Sequence, residues 1–218
     1  MKYSELLECY INNCPLDEPI FIEDIKTYIK SKLELTGLEL EKVFKSIYVY
    51  INRLIKKQDL EFYSKGIYYK PSIGAFGEKT LNKSKVIQKK YIENEDLIKG
   101  YVTGPTLYNY LGLTTQNPEK IYIVTNECPN KNQYENKLFN VIITKPKIEI
   151  TKDNYLYLQL IDLINNKDDI PVENLTEKEA IFKYIKENEL EMEKIFKYAS
   201  LTNNKKAIDK LFYIVNTK

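Results

Sequence analysis

Apolar positions recur at helical spacing through the first third of the chain. Tyr3, Leu6, Leu7, Tyr10 and Ile11 share a face and predict a helix from residue 2 to about residue 13. Asn12-Asn13-Cys14-Pro15 ends it, because the residue before a proline is pushed out of helical backbone. Pro19 to Ile22 reads as a brief extended segment. Ile25, Tyr28, Ile29 and Leu33 predict a second helix from Glu23 to about Leu33, with a turn at Thr36-Gly37. Val43, Ile47, Tyr50, Ile51, Leu54 and Ile55 predict a third, from about Glu39 to Lys57. Two short alternating runs come next, Leu60 to Tyr63 and Ile67 to Lys70, parted by Ser64-Lys65-Gly66. They predict a hairpin.

The pattern changes after the hairpin. Pro71-Ser72-Ile73-Gly74-Ala75-Phe76-Gly77 combines a proline with two glycines and predicts a domain boundary. Residues 78 to 92 read as a lysine-rich helix. Near Gly100 a short strand should run into a helix capped by Thr103, with Pro105 in its first turn and Gly112 at its end. Ile121 to Thr125 and Phe139 to Ile143 are strand-like, and Lys147 to Ile150 reads as a third such run. Four further helices are predicted, at about 154–166, 176–187, 189–199 and 204–216. The fold class is therefore α+β. Residues 1–73 are expected to form an N-terminal winged helix-turn-helix, the order of three helices and a hairpin in about 70 residues. Residues 78–218 are expected to form a mixed α/β domain with a helical portion from about 152.

Composition narrows the classes. The hydrophobic share, 43% of 218 residues, is ordinary for a globular chain. No apolar run reaches the length of a membrane span and the first residues lack an export core, so a cytoplasmic protein is expected. Cys9, Cys14 and Cys128 make neither a disulfide framework nor a zinc pattern. The sequence has no histidine, which removes Ser-His, Cys-His and histidine-metal chemistry together. No metal and no cofactor are expected.

Charge is unevenly placed although it nets only +2. Residues 1–41 hold 4 basic and 9 acidic residues, residues 42–90 hold 12 and 3, and residues 91–218 hold 17 and 19. A basic stretch of this kind attracts polyanions by neutralising phosphates and releasing counterions.

The third helix carries Lys42, Lys45, Ser46, Val49, Asn52, Arg53 and Lys56 opposite its apolar stripe. On a helix in the major groove, Asn52 suits adenine, Arg53 guanine and Val49 a thymine methyl. Lys42, Lys45, Lys56 and the flanking Tyr48 suit phosphates, which position without specifying. Ser64 and Lys65 sit at the hairpin tip, where Lys65 reaches a neighbouring groove or phosphate. Lys83, Lys85, Lys89 and Lys90 either extend this surface or form a solvated helix face. The bland alternative for the whole segment is a three-helix protein-interaction domain with a basic surface.

Elsewhere the chemistry is thin. Thr103-Gly104 and Leu113-Thr114-Thr115-Gln116 read as caps and a tight turn, since no Walker or Gly-x-Gly-x-x-Gly sequence is present. Asp153, Asp162, Asp168, Asp169 and Asp209 are scattered, whereas two-metal phosphoryl transfer needs acids held together on a rigid element. An enzyme is not expected.

A hairpin ending Gly66-Ile67-Tyr68-Tyr69-Lys70-Pro71 is succeeded about thirty residues later by a longer run. That run is Gly100-Tyr101-Val102-Thr103-Gly104-x-x-Leu107-x-Asn109-x-Leu111-Gly112-Leu113-Thr114-Thr115-Gln116-x-Pro118. Over roughly residues 20–145 the chain resembles the abortive-infection AbiEi antitoxin family of bacterial type IV toxin–antitoxin systems. The stretch from Asn109 to Pro118 carries most of the likeness. The resemblance implies a winged helix that binds operator repeats in double-stranded DNA and represses its own operon, without requiring a dimer. It implies an antitoxin-like second domain that counters a nucleotidyltransferase-like toxin. The contrasting reading is a protein-interaction module that neutralises a toxin or senses a phage component without specific DNA binding.

Overall fold

The computed structural model describes residues 3–33, 37–75, 77–129, 132–165 and 177–216. The chain is α+β and divides into two compact units, Met1–Val86 and Ile87–Lys218.

The first unit begins with α1 (Tyr3–Asn13), β1 (Ile20–Phe21), α2 (Ile22–Lys32) and α3 (Gly37–Lys56). Then come β2 (Glu61–Ser64) and β3 (Ile67–Tyr69). The three strands form an antiparallel sheet in the order β1-β3-β2, with Ile20 opposite Tyr68 and Glu61 opposite Tyr69. Leu7, Ile25, Ile29, Ile47, Ile51 and Leu60 are wholly buried and form the core between helices and sheet. Burying such a side chain stabilises by roughly 1.5–3 kcal/mol relative to exposure. The expected turn at Thr36-Gly37 lies partly outside the described residues.

The glycine-rich segment makes a small hairpin, β4 (Ile73–Gly74) with β5 (Gly77–Glu78). Side-chain bonds tie the chain on either side of this hairpin to the loop between α1 and β1. Asp17 accepts from the Ser72 amide at 2.8 Å and also from its hydroxyl. Lys85 pairs with Glu18. The helix expected over 78–92 is shorter, because residues 77–78 are held by β4 and the Asn82 side chain accepts from the Ser84 amide at 2.8 Å. That bond starts the helix at α4 (Lys83–Ile87), and a π-helical turn, Gln88–Ile92, continues it.

The second unit carries a hairpin of β6 (Glu93–Asn94) and β7 (Leu97–Ile98), then β8 (Gly100–Val102) and α5 (Gly104–Tyr110). β9 (Ile121–Thr125), β10 (Gln133–Asn136) and β11 (Val141–Thr144) complete a sheet in the order β10-β11-β9-β8, in which β9 and β11 run parallel. α6 (Tyr155–Asn165) is buried nearly all round. Its Leu158 packs with Tyr101, Val124 and Ile150, while Leu160 and Ile164 pack with the last three helices. Those are α7 (Glu177–Glu187), α8 (Met192–Leu201) and α9 (Lys205–Asn216).

Two sequence expectations fail here. Lys147–Ile150 is no strand. Its neighbours' backbone groups are satisfied by side chains: Asn126 brackets Ile150 with two bonds of 2.9 Å, and Asn154 bonds Glu149 at 2.9 Å and Thr151 at 2.8 Å. These asparagines replace a strand ladder. The eighth helix starts at Met192 and not at Glu189, because Glu189 takes the left-handed conformation (φ 51°) and Leu190 bonds back to Ile185, closing α7.

Candidate functional site

α3 has two unlike faces because its apolar residues repeat at three and four positions. Ile47 and Ile51 are wholly buried. Lys42, Lys45, Tyr48, Val49, Asn52, Arg53 and Lys56 are exposed. Lys42, Lys45, Val49, Asn52 and Lys56 fall on successive turns and form one strip. Val49 is 53% and Tyr48 42% exposed, so both side chains stand open on this face. Ser46 differs from its neighbours: it is half-buried and its hydroxyl donates to the Lys42 carbonyl at 3.0 Å. Ser64 is half-buried at the end of β2, and Lys65 is exposed in the turn beside it. That turn is fixed by a bond from the Ile22 amide to the Gly66 carbonyl at 2.9 Å.

One residue joins this surface that the sequence does not mark. Lys26 of α2 lies 5.5 Å from the Tyr48 ring centre and 5.6 Å from that of Phe44, with its ammonium 3.0 Å from Glu23. The Glu23 bond raises its pKa, so it stays cationic. Phe62 of β2 is 55% exposed and meets Tyr68 edge-on at 6.0 Å. Strand alternation puts Phe62 outward, which the sequence permits but does not single out. Of the later lysines, Lys85 is engaged with Glu18.

In the second unit the Gly100–Gln116 run mostly serves the backbone. Gly100 sits where a Cβ would lie 2.1 Å from the Tyr91 carbonyl oxygen and 2.8 Å from that of Val124. Gly112 has φ +69° and ends α5, with its amide on Asn109 and the Leu113 amide on Tyr108. The Asn109 amide donates to the carbonyls of Gln116 at 3.1 Å and Thr114 at 3.5 Å. The Thr114 hydroxyl accepts from the Gln116 amide at 3.2 Å. Leu113 and Thr114 are buried, while Thr115 and Gln116 are exposed.

Thr103 makes no side-chain cap, contrary to the sequence expectation. Its hydroxyl turns to Asp162 Oδ2 at 3.4 Å, beside the Tyr101 hydroxyl at 2.9 Å. Burial pushes the Asp162 carboxyl up to about 6, against the pull of these two bonds and of Lys147. Burial, then the Asp162 charge, holds the Tyr101 phenol well above its usual range. Asp168 and Asp169 lie outside the described residues. Among the described residues no group of three acids, cysteines or histidines could hold a metal, and no helix is long and apolar enough to cross a membrane.

The chain belongs to a family of unknown function, DUF6088, whose model matches residues 42–192. The matched span begins within α3 and ends at the start of α8. No curated protein matches the chain.

Proposed function

We propose that the chain is a DNA-binding transcriptional repressor with a winged helix-turn-helix at its N-terminus. It represses its own operon as the antitoxin of a type IV toxin–antitoxin system in abortive phage infection. The observation that carries the DNA-binding part is α3, with one side buried at Ile47 and Ile51 and the other exposing Lys42, Lys45, Asn52, Arg53 and Lys56. The strand order β1-β3-β2 behind it supports the winged arrangement, since β1 joins the hairpin as a third strand.

In this reading α3 enters the major groove. Asn52 bonds adenine, Arg53 bonds guanine, and Val49 touches a thymine methyl. Lys42, Lys45, Lys56 and Tyr48 hold phosphates, with Lys26 alongside. Lys65 reaches the backbone or groove beside the hairpin turn. Ser46 makes no phosphate contact in this reading, because its hydroxyl proton is given to the Lys42 carbonyl within α3. The antitoxin role is supported by the likeness of Asn109–Pro118 to the AbiEi antitoxins, with a nucleotidyltransferase-like toxin as partner. The reading involves no catalytic step, no cofactor and a cytoplasmic setting. Gel-shift titration on DNA upstream of the protein's own gene should give a salt-sensitive complex. Absence of any complex at low salt defeats the proposal.

A protein-interaction role without specific DNA binding is favoured by the open Leu201, Phe212 and Tyr213, at 56%, 54% and 72% exposure. A partner retained by the Arg53→Ala protein and lost from the Tyr213→Ser protein would support it.

A further inference from the structure

A cleft of about 220 Å³ opens in the second unit where the parallel strands β9 and β11 end. That is room for a small metabolite, since ligand clefts run from roughly 300 Å³ upward and this one lies just below them. Open sheets receive ligands at the carboxyl ends of parallel strands, because the chain turns away there and leaves a crevice. Lys145 and Lys147 line the cleft from the segment leaving β11, and Asp162 lines it from α6. Thr202 and Asn204 come from the turn between α8 and α9.

We propose that this cleft binds a small metabolite with an N–H donor at one end and a carboxylate or phosphate at the other. The donor bonds Asp162 and the anion pairs with Lys145 and Lys147. The Tyr101 and Thr103 hydroxyls both fall on Oδ2 of Asp162, which leaves Oδ1 as the acceptor for the ligand. Lys147 gives one bond to the Thr202 carbonyl at 3.0 Å and keeps two further ammonium protons. A ligand bearing only negative charge would meet the aspartate, and one bearing only positive charge would meet both lysines. The chemistry that satisfies both ends belongs to amino acids and to nucleoside monophosphates with amino-bearing bases. Burial has raised the Asp162 carboxyl, as is common for acids that await a partner in a cleft. This inference concerns the second unit alone and stands apart from the DNA-binding reading.

The test uses the full-length protein. Its melting temperature is measured with each of the twenty amino acids and with AMP, GMP and CMP, and any hit is then titrated calorimetrically. A saturable rise with a member of one set is expected, and the responding set identifies the source of the chemistry. Lys145→Gln, at an exposed position, should weaken that binding about tenfold or more, as should Asp162→Asn. No rise with any probe overturns the proposal. So does a rise that both variants leave unchanged.

Discussion

The hydroxyl of Tyr101 donates to Oδ2 of Asp162 at 2.9 Å and so joins β8 to α6 inside the second unit. The carboxyl's pKa is raised from 3.8 to about 6, first by burial. The folded protein therefore holds this proton more tightly than the unfolded chain. Stability from the protonated acid is full below the unfolded value and is lost as pH rises through about 6. The loss is on the order of 3 kcal/mol. Asp162→Asn keeps an acceptor for Tyr101 and cannot ionise. It should unfold at a similar urea concentration to the parent near pH 4 and at a higher one at pH 7. An unchanged gap between the two proteins across this range would refute the account.

Gly100 and Gly112 should respond very differently to alanine. At Gly100 the new Cβ would lie 2.1 Å from the Tyr91 carbonyl oxygen, and both strand and turn are backbone that cannot step aside cheaply. Gly100→Ala should cost about 3 kcal/mol or more, beyond ordinary overpacking. At Gly112 nothing lies within 4 Å, so only the φ of +69° is strained. Gly112→Ala should cost about 1 kcal/mol. Denaturation of the two variants side by side checks the ordering, and equal losses would contradict it.

Under the proposed DNA-binding reading, the residue types on the α3 surface divide by role. Asn52→Ala or Arg53→Ala should each cost about 1–3 kcal/mol of operator binding and relax the preferred base at one position. Lys45→Gln or Lys56→Gln should weaken binding to all sequences alike and lower the salt slope by about 1. Fluorescence anisotropy against operator and scrambled DNA over a salt series separates the two patterns. A specificity change in the lysine variants would be incompatible with phosphate contact.

Asp17 has its carboxyl pKa lowered, chiefly by the Ser72 hydroxyl and then by the Ser72 amide. Its contribution is present above the unfolded value and is lost as pH falls through the lower folded one. Ser72→Ala removes the hydroxyl donor and leaves the amide, so the Asp17 pKa should move upward. Carboxyl chemical shifts recorded through an acid titration will show it. A pKa that stays put would mean that the hydroxyl bond contributes nothing.

The longer helices were legible because they are amphipathic or, for α6, apolar nearly throughout, whereas the one expected over 78–92 is cut short by the β4 pairing and the Asn82 bond. β9 was legible because Ile121-Tyr-Ile-Val-Thr is a short β-branched run. β10 was not legible: Gln133-Tyr-Glu-Asn has no buried face and becomes a strand only because β11 offers it an edge. The Lys147–Ile150 run looked like a strand, yet Asn126 and Asn154 take up the backbone groups around Ile150. No local pattern announces that exchange. Lys26 joined the α3 surface through packing of α2 on α3, which spacing within one element cannot reveal.

By itself the sequence determined which face of α3 is apolar, where its basic residues concentrate, and that Gly100, Gly104 and Gly112 punctuate the run up to Gln116. Periodicity and composition are local properties, so they survive without a fold. Only the tertiary structure decided that Gly100 lies under the Tyr91 carbonyl and that Thr103 leaves its helix end for Asp162. It also decided that Asp162 meets Tyr101 at the strand ends of a cleft. Those pairs are about sixty residues apart or belong to separate elements, and only chain folding brings their atoms within bonding distance.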